Sequence, residues 1–158
     1  MNETGNTAPV TVRSIREEDL AQWTPLWDGY NAFYGRQGAV ALSPEITRTT
    51  WKRFFDADEP VHALIAESQG RLLGLAHYVF HRSTTRIQPT CYLQDLFTAE
   101  CARGRGVGHA LIEGVYRAAA TAGVTRIYWQ TQESNAAGRR LYDRVAWHHG
   151  FIVYSHDS

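Results

Sequence analysis

The chain has 158 residues, enough for one domain that buries a core without disulfide or metal staples. Lys and Arg together number 16 and so do Asp and Glu, which argues against nucleic-acid and anionic-membrane partners, since both favour basic patches. The two cysteines, Cys91 and Cys101, are too sparse for a disulfide framework or a zinc cluster, so reduced thiols, no metal and a cytoplasmic location are expected.

Residues 1–9 are small and polar, with neither an apolar signal core nor an Arg-rich amphipathic pattern. They read as a flexible tail ahead of a domain at 10–158. Val10 to Ile15 alternates as a short strand, and Arg16-Glu-Glu-Asp19 opens a helix with acidic residues in its first turn. Leu20, Trp23, Trp27, Tyr30 and Tyr34 then recur every three or four residues, an aromatic stripe interrupted by Pro25. Such a stripe packs a core or lines a substrate site, and spacing alone leaves both open.

Ser43-Pro44 is a helix start, with Ser43 as cap and Pro44 at the first helical position, and the helix is expected to reach about Asp56. Val61 to Ala66 and Leu72 to Phe80 read as strands around a turn at Ser68 to Arg71, and a third strand follows at Cys91 to Thr98. Val107, Leu111, Val115, Ala118 and Ala122 share one helix face, stopped by Gly123. Thr125 to Thr131 is the next strand, Asn135 to Ala146 the last helix and Gly150 to Tyr154 the last strand. This order predicts an α+β fold with a mixed central sheet flanked by helices.

Residues 103–108, Arg-Gly-Arg-Gly-Val-Gly, join an extended run to a helix. A glycine-rich turn at that place offers consecutive backbone N–H groups, at the positive end of the helix dipole, to a phosphate. A dinucleotide fingerprint counted from Gly104 needs glycine at position 109, where His109 stands, and a Walker loop needs Lys-Ser/Thr after Gly108, where His109-Ala110 stands. Both patterns fail.

What remains, Arg103-x-x-Gly106-x-Gly108, resembles the pyrophosphate loop of the Gcn5-related N-acetyltransferases. The likeness extends from Tyr92-Leu-Gln-Asp-Leu-Phe-Thr98 through the loop and helix to Trp129-Gln-Thr-Gln-Glu-Ser-Asn135 and Leu141-Tyr142-Asp143. Within the superfamily it most resembles the histone and polyamine acetyltransferase group and the diamine acetyltransferases. The resemblance implies the fold of that superfamily and acetyl-CoA as co-substrate. The acetyl group would move to a primary amine of a small cationic substrate by direct attack. A non-catalytic acyl-CoA-binding or regulatory protein on the same fold is the alternative.

The resemblance also implies roles. Arg103, Gly104, Arg105, Gly106, Val107 and Gly108 would hold the pyrophosphate, although the family motif requires only the first arginine and Arg105 reads equally as a solvated loop residue. Backbone groups of Leu96, Phe97 and Thr98 would bond the pantetheine arm and the acetyl oxygen, in a gap where two parallel strands splay apart. Tyr142 would hydrogen-bond the departing thiolate. Asn135 and Tyr142, seven apart, lie on one helix face, about 10 Å apart along the axis. Gly138 leaves that face open to a cofactor chain, while Asn135 equally suits a helix N-cap.

Related enzymes often carry Glu-Asp where this chain has Gln94-Asp95, and a glutamine takes no proton at neutral pH. Asp95 is the nearest carboxylate left to act as base or amine anchor. Strand alternation puts Gln94 and Asp95 on opposite faces unless a bulge re-aims one of them. His77 or an ordered water could serve instead, but His77 is better read as a satisfied core histidine. Trp27, Asp28, Tyr30, Phe33 and Tyr34 lie where the superfamily builds its acceptor site, and aromatic faces beside a carboxylate suit a cationic amine. That composition does not separate a polyamine from a lysine tail, an amino acid or an aminoglycoside. His148, His149 and His156 read as surface residues, and a homodimer is expected, as in many relatives.

Overall fold

A computed structural model describes residues 8–158, so most of the expected tail at 1–9 lies outside the described residues. The chain runs β1 (Thr11–Ser14), α1 (Leu20–Phe33), α2 (Pro44–Arg53), β2 (Val61–Ser68), β3 (Arg71–His81), β4 (Thr90–Thr98), α3 (Val107–Thr121), β5 (Ile127–Tyr128) and α4 (Ala136–Val145). The five strands form one sheet in the order β1-β2-β3-β4-β5, antiparallel except for the β4–β5 pair. That parallel pair is reached by the crossover through α3.

Each face of the sheet carries its own core, which is why β2 and β3 read as long apolar runs rather than simple alternations. Leu64, Ala66, Leu73, Ala76 and Leu93 pack with Leu111, Ile112 and Val115 of α3 on one face. Ala63, Ile65, Leu72 and Leu75 pack with Trp23, Leu26, Trp27 and Tyr30 of α1 on the other. The β2–β3 hairpin closes through Gln69 and Gly70, both at positive φ (51° and 73°), the two-residue turn whose twist matches the strands.

Pro25 does not interrupt α1. It lacks the N–H that would bond the carbonyl of residue 21, but Pro25 and Ala21 are both exposed, so that carbonyl is not buried unpaired and the helix continues. Helix α2 is capped by Ser43, whose hydroxyl accepts from the Ile46 N–H, and stops three residues short of Asp56. Its end tightens into i→i−3 bonds from Phe54, Phe55 and Asp56.

Arg13 ties the first elements together. Its guanidinium donates to both oxygens of Asp19 (2.8 and 2.9 Å) and to Glu67 Oε2 (2.6 Å), while Asp19 also accepts from the Arg16 N–H. The bonds from Arg13 are the main reason the Asp19 carboxyl is held below its ordinary range. A lowered carboxyl stabilises the fold above its unfolded value, near pH 4, and the contribution vanishes as pH falls through the folded value. Asp19→Asn is therefore expected to cost about 1–3 kcal/mol at pH 7 and little at pH 2, read by denaturant unfolding at the two pH values.

Two expected strands differ. Thr125–Thr131 shortens to Ile127–Tyr128 because β4 supplies partners only at Cys91 and Tyr92. Gly150–Tyr154 forms no strand: Phe151, Ile152, Val153 and Tyr154 are all exposed, without a ladder partner among the described residues.

Candidate active site

The glycine loop sits at the N-terminus of α3, as its sequence suggested. Gly104 and Gly106 have φ of 78° and 77°, and a Cβ added to either would meet nothing, so glycine is needed there for conformation and not for space. Gly106 is the N-cap, and its carbonyl takes the first helical bond from the Ala110 N–H. The N–H groups of Val107, Gly108 and His109 precede that bond and have no acceptor within the helix. Gly108 is glycine for a different reason, since a Cβ would lie 3.1 Å from Leu141 of α4. Arg103 is exposed at the loop, but Arg105 is half-buried and donates to the Ala8 carbonyl (3.2 Å), bracing the loop against the chain leading into β1.

Beside the loop the sheet opens. Strands β4 and β5 pair only at Cys91↔Ile127 and Tyr92↔Tyr128, so from Leu93 to Thr98 the backbone groups aimed at β5 meet no strand. Leu96, Phe97 and Thr98 remain paired to β3 on their other side, opposite Ala76, Leu75 and Gly74. A ligand with amide groups can extend this free edge as an added strand would.

The register between β3 and β4 slips by one residue: His77 faces Asp95 and Tyr78 faces Leu93, leaving Gln94 as the extra residue of a bulge. The slip inverts the alternation, so Asp95 joins Tyr92 and Phe97 on the α1 face while Leu93 and Leu96 face α3. Asp95 is thereby buried against His77, Nδ1 to Oδ2 2.9 Å. The Trp23 indole N–H donates to the other ring nitrogen, Nε2, at 3.0 Å. An indole N–H only donates, so Nε2 is the bare nitrogen and the ring proton sits on Nδ1, directed at Asp95. His77 is a satisfied core histidine, and both of its nitrogens are occupied.

An open cavity of about 750 Å³ lies over this point, between α1, α2 and β4, and both Gln94 and Asp95 line it. Trp27, Tyr30 and Tyr34 form its α1 wall, so the aromatic stripe does both things its spacing allowed: Trp23 is fully buried core and the other three line the cavity. Asp28 belongs to neither group. It is exposed and turned roughly 100° round the helix from Trp27, away from the cavity. Phe33 is likewise exposed. Burial first, and then the charge of Asp95, push the Tyr30 phenol well above its ordinary value.

Asn135 is the N-cap of α4: its Oδ1 accepts from the Gly138 N–H (3.1 Å) and its Nδ2 donates to Thr131 (3.0 Å). A Cβ on Gly138 would lie 2.5 Å from the Asn135 amide, so the missing side chain makes room for the cap itself and not for a cofactor chain. One amide hydrogen of Asn135 is left over. Tyr142, on the same helix, packs edge-on to Trp129 with ring centroids 5.5 Å apart. Burial, and secondarily Tyr34, raise its phenol, so it is a hydrogen-bond donor at neutral pH. Among the described residues no group of His, Cys, Asp and Glu could hold a metal.

Sequence reasoning missed Arg36, which lines the cavity with its guanidinium over the Tyr30 and Tyr34 rings. Its one sequence signal is the position just after Gly35, at the end of the aromatic helix.

The model of the acetyltransferase (GNAT) family matches residues 15–147. The D-amino-acid N-acetyltransferase HPA3 of Saccharomyces cerevisiae is 32% identical over 147 residues, 92% of this chain and 89% of that protein. The phosphinothricin N-acetyltransferase of Streptomyces coelicolor is 32% identical over 154 residues, 90% of this chain and 84% of that one. Among solved structures, AAC(6')-Iy with the bisubstrate analogue CoA-S-monomethyl-acetylneamine superposes with a TM-score of 0.79 at 17% identity, over 96% of this chain and 99% of that one, a likeness of fold. With the loop, the free strand edge and matches across most of its length, the chain belongs to the GNAT acetyltransferase family and is an acetyl-CoA-dependent N-acetyltransferase.

Proposed function

We propose that this enzyme acetylates the primary amine of a small acceptor that enters the cavity between α1 and β4, with Asp95 taking the amine's proton. The observation that carries this reading is the bulge at Gln94, which turns Asp95 to the cavity face and against His77. The family's usual glutamate is absent, and Asp95 is the cavity's carboxylate. Acetyl-CoA supplies the thioester carbonyl when bound. The amine nitrogen bonds to that carbon, the carbon–sulfur bond breaks, and the amine's proton goes to Asp95 while the Tyr142 hydroxyl donates to the departing sulfur.

In the same reading Arg103 and the N–H groups around Gly104, Gly106, Val107 and Gly108 hold the pyrophosphate, and Arg105 positions the loop. The free edge of Leu96, Phe97 and Thr98 receives the pantetheine and acetyl oxygen, and the remaining amide hydrogen of Asn135 reaches the same arm. Trp27, Tyr30 and Tyr34 receive the acceptor, while Asp28 is left out. A cationic polyamine-like molecule, as for the histone, polyamine and diamine acetyltransferases, and an amino acid both satisfy the amine requirement. The name of the yeast relative supports the amino acid.

Thiol release from acetyl-CoA with a panel of small amines tests the reading, and CoA binding with no release for any amine would overturn it. Gly106→Val should weaken acetyl-CoA binding about tenfold, because a β-branched residue resists positive φ by roughly 1–3 kcal/mol. Isothermal calorimetry with CoA measures that change.

The reading takes residues 10–158 as the catalytic domain. It also takes the enzyme to be cytoplasmic, supported by two free cysteines, with no nucleic-acid or membrane partner, supported by the even charge. No helix of the described residues is long and apolar enough to cross a membrane. A homodimer is part of it too, supported by the exposed run Phe151 to Tyr154 and the short β5 at the sheet's edge. Removing residues 150–158 should then lower the mass measured by light scattering.

A further inference from the structure

The cavity holds a cation that the protein does not neutralise. Helix α1 ends in a Schellman turn, with the Gly35 N–H bonded to the Ala32 carbonyl (2.9 Å) and the Arg36 N–H to the Asn31 carbonyl (2.9 Å), and Gly35 at φ 78°. This turn fixes the Arg36 backbone beside buried Asn31, whose side-chain oxygen accepts from Arg36 Nε at 2.8 Å. Asn31 is itself anchored by donating to the Trp27 carbonyl (2.9 Å). The guanidinium lies over the Tyr30 and Tyr34 rings, 5.6 and 5.4 Å from their centroids.

Of the five guanidinium hydrogens one is used, and among the described residues no carboxylate pairs with Arg36. The other cavity arginine, Arg53, is more exposed and lies 3.7 Å from Glu59. Tyr30, whose ring lies against Arg36, lines the same cavity as Asp95. A held, half-buried, unpaired fork of N–H donors is the geometry that takes a carboxylate.

We infer that Arg36 is the receptor for a carboxylate of the acceptor, so that the substrate is a free α-amino acid with its amine at Asp95 and its carboxylate on Arg36. The inference rests on the assignment of Asp95 to the amine. A polyamine would bring a second ammonium against Arg36, whereas a zwitterion matches both charges that line the cavity. Leu42, Ile46, Phe54 and Val79 line the remaining wall and suit an apolar side chain.

Phenylalanine, as both enantiomers, and phenethylamine differ only by the carboxylate and serve as probes. The ratio of their kcat/KM values within one enzyme reports the carboxylate contact, and comparing ratios between enzymes cancels the difference in amine basicity. Wild type should favour one phenylalanine enantiomer, Arg36→Gln should lower that ratio at least tenfold through the phenylalanine KM, and Arg36→Lys should lower it less. Equal ratios in wild type and in both variants, or a wild type that turns over phenethylamine and putrescine but neither phenylalanine, would overturn the inference and leave the Asp95 reading standing. Thiol release with none of these amines would overturn both.

Discussion

Asp95→Asn is expected to lower kcat by about 10²–10³-fold, within the range for loss of a positioned proton acceptor. Its side chain keeps the shape of the carboxylate, and its oxygen can still accept from His77 Nδ1, so the fold and the cavity survive the change. What it loses is the ability to take a proton. An alkylammonium near pKa 10.4 is mostly protonated at neutral pH, and the amine must also shed a proton as it attacks, so the missing acceptor is felt in turnover. His77 cannot take over while Trp23 occupies its Nε2. Calorimetry with CoA should give an unchanged Kd in the same variant, and a kcat within threefold of wild type would remove Asp95 from the role proposed for it.

Tyr142→Phe should lower kcat by about 10–100-fold, the worth of one hydrogen bond to a group that is becoming charged. Full proton transfer from a tyrosine to a thiolate is uphill by roughly 2 kcal/mol on reference values, and burial raises the Tyr142 phenol further. The proposed contribution is therefore a bond that strengthens as charge develops on sulfur. Phenylalanine preserves the packing against Trp129, so the thermal midpoint should change little. A phenol raised above 10 keeps its proton through that pH, so wild-type kcat should show no alkaline fall from Tyr142 below about pH 10. Unchanged turnover in the variant would refute the role.

Helices, hairpin and glycine loop were readable one segment at a time because each depends on local rules. Gly104 and Gly106 adopt the positive φ that their residue type permits, Ser43 caps the helix that Pro44 begins, and Gln69-Gly70 makes the tight turn. Pro25 interrupts the aromatic stripe but not the helix, because whether a proline breaks a helix depends on what surrounds the orphaned carbonyl. The strand expected at Gly150 to Tyr154 did not form, since a strand needs a neighbour and the sequence does not state whether one is present.

The sequence by itself determined the elements of the proposed donor side: a glycine loop before a helix, an asparagine N-cap and a tyrosine two turns on, all set by short spacings. The tertiary structure decided the proposed acceptor side. Whether Asp95 faced the cavity hung on one bulged residue in the pairing of β3 with β4, and its partner His77 is 18 residues away. The tautomer of that histidine was settled by Trp23, 54 residues away on a helix docked across the sheet. Arg36 reaches the same cavity through the turn that ends α1. Strand register and helix docking bring these groups together, and both are properties of the packed chain that no local spacing encodes.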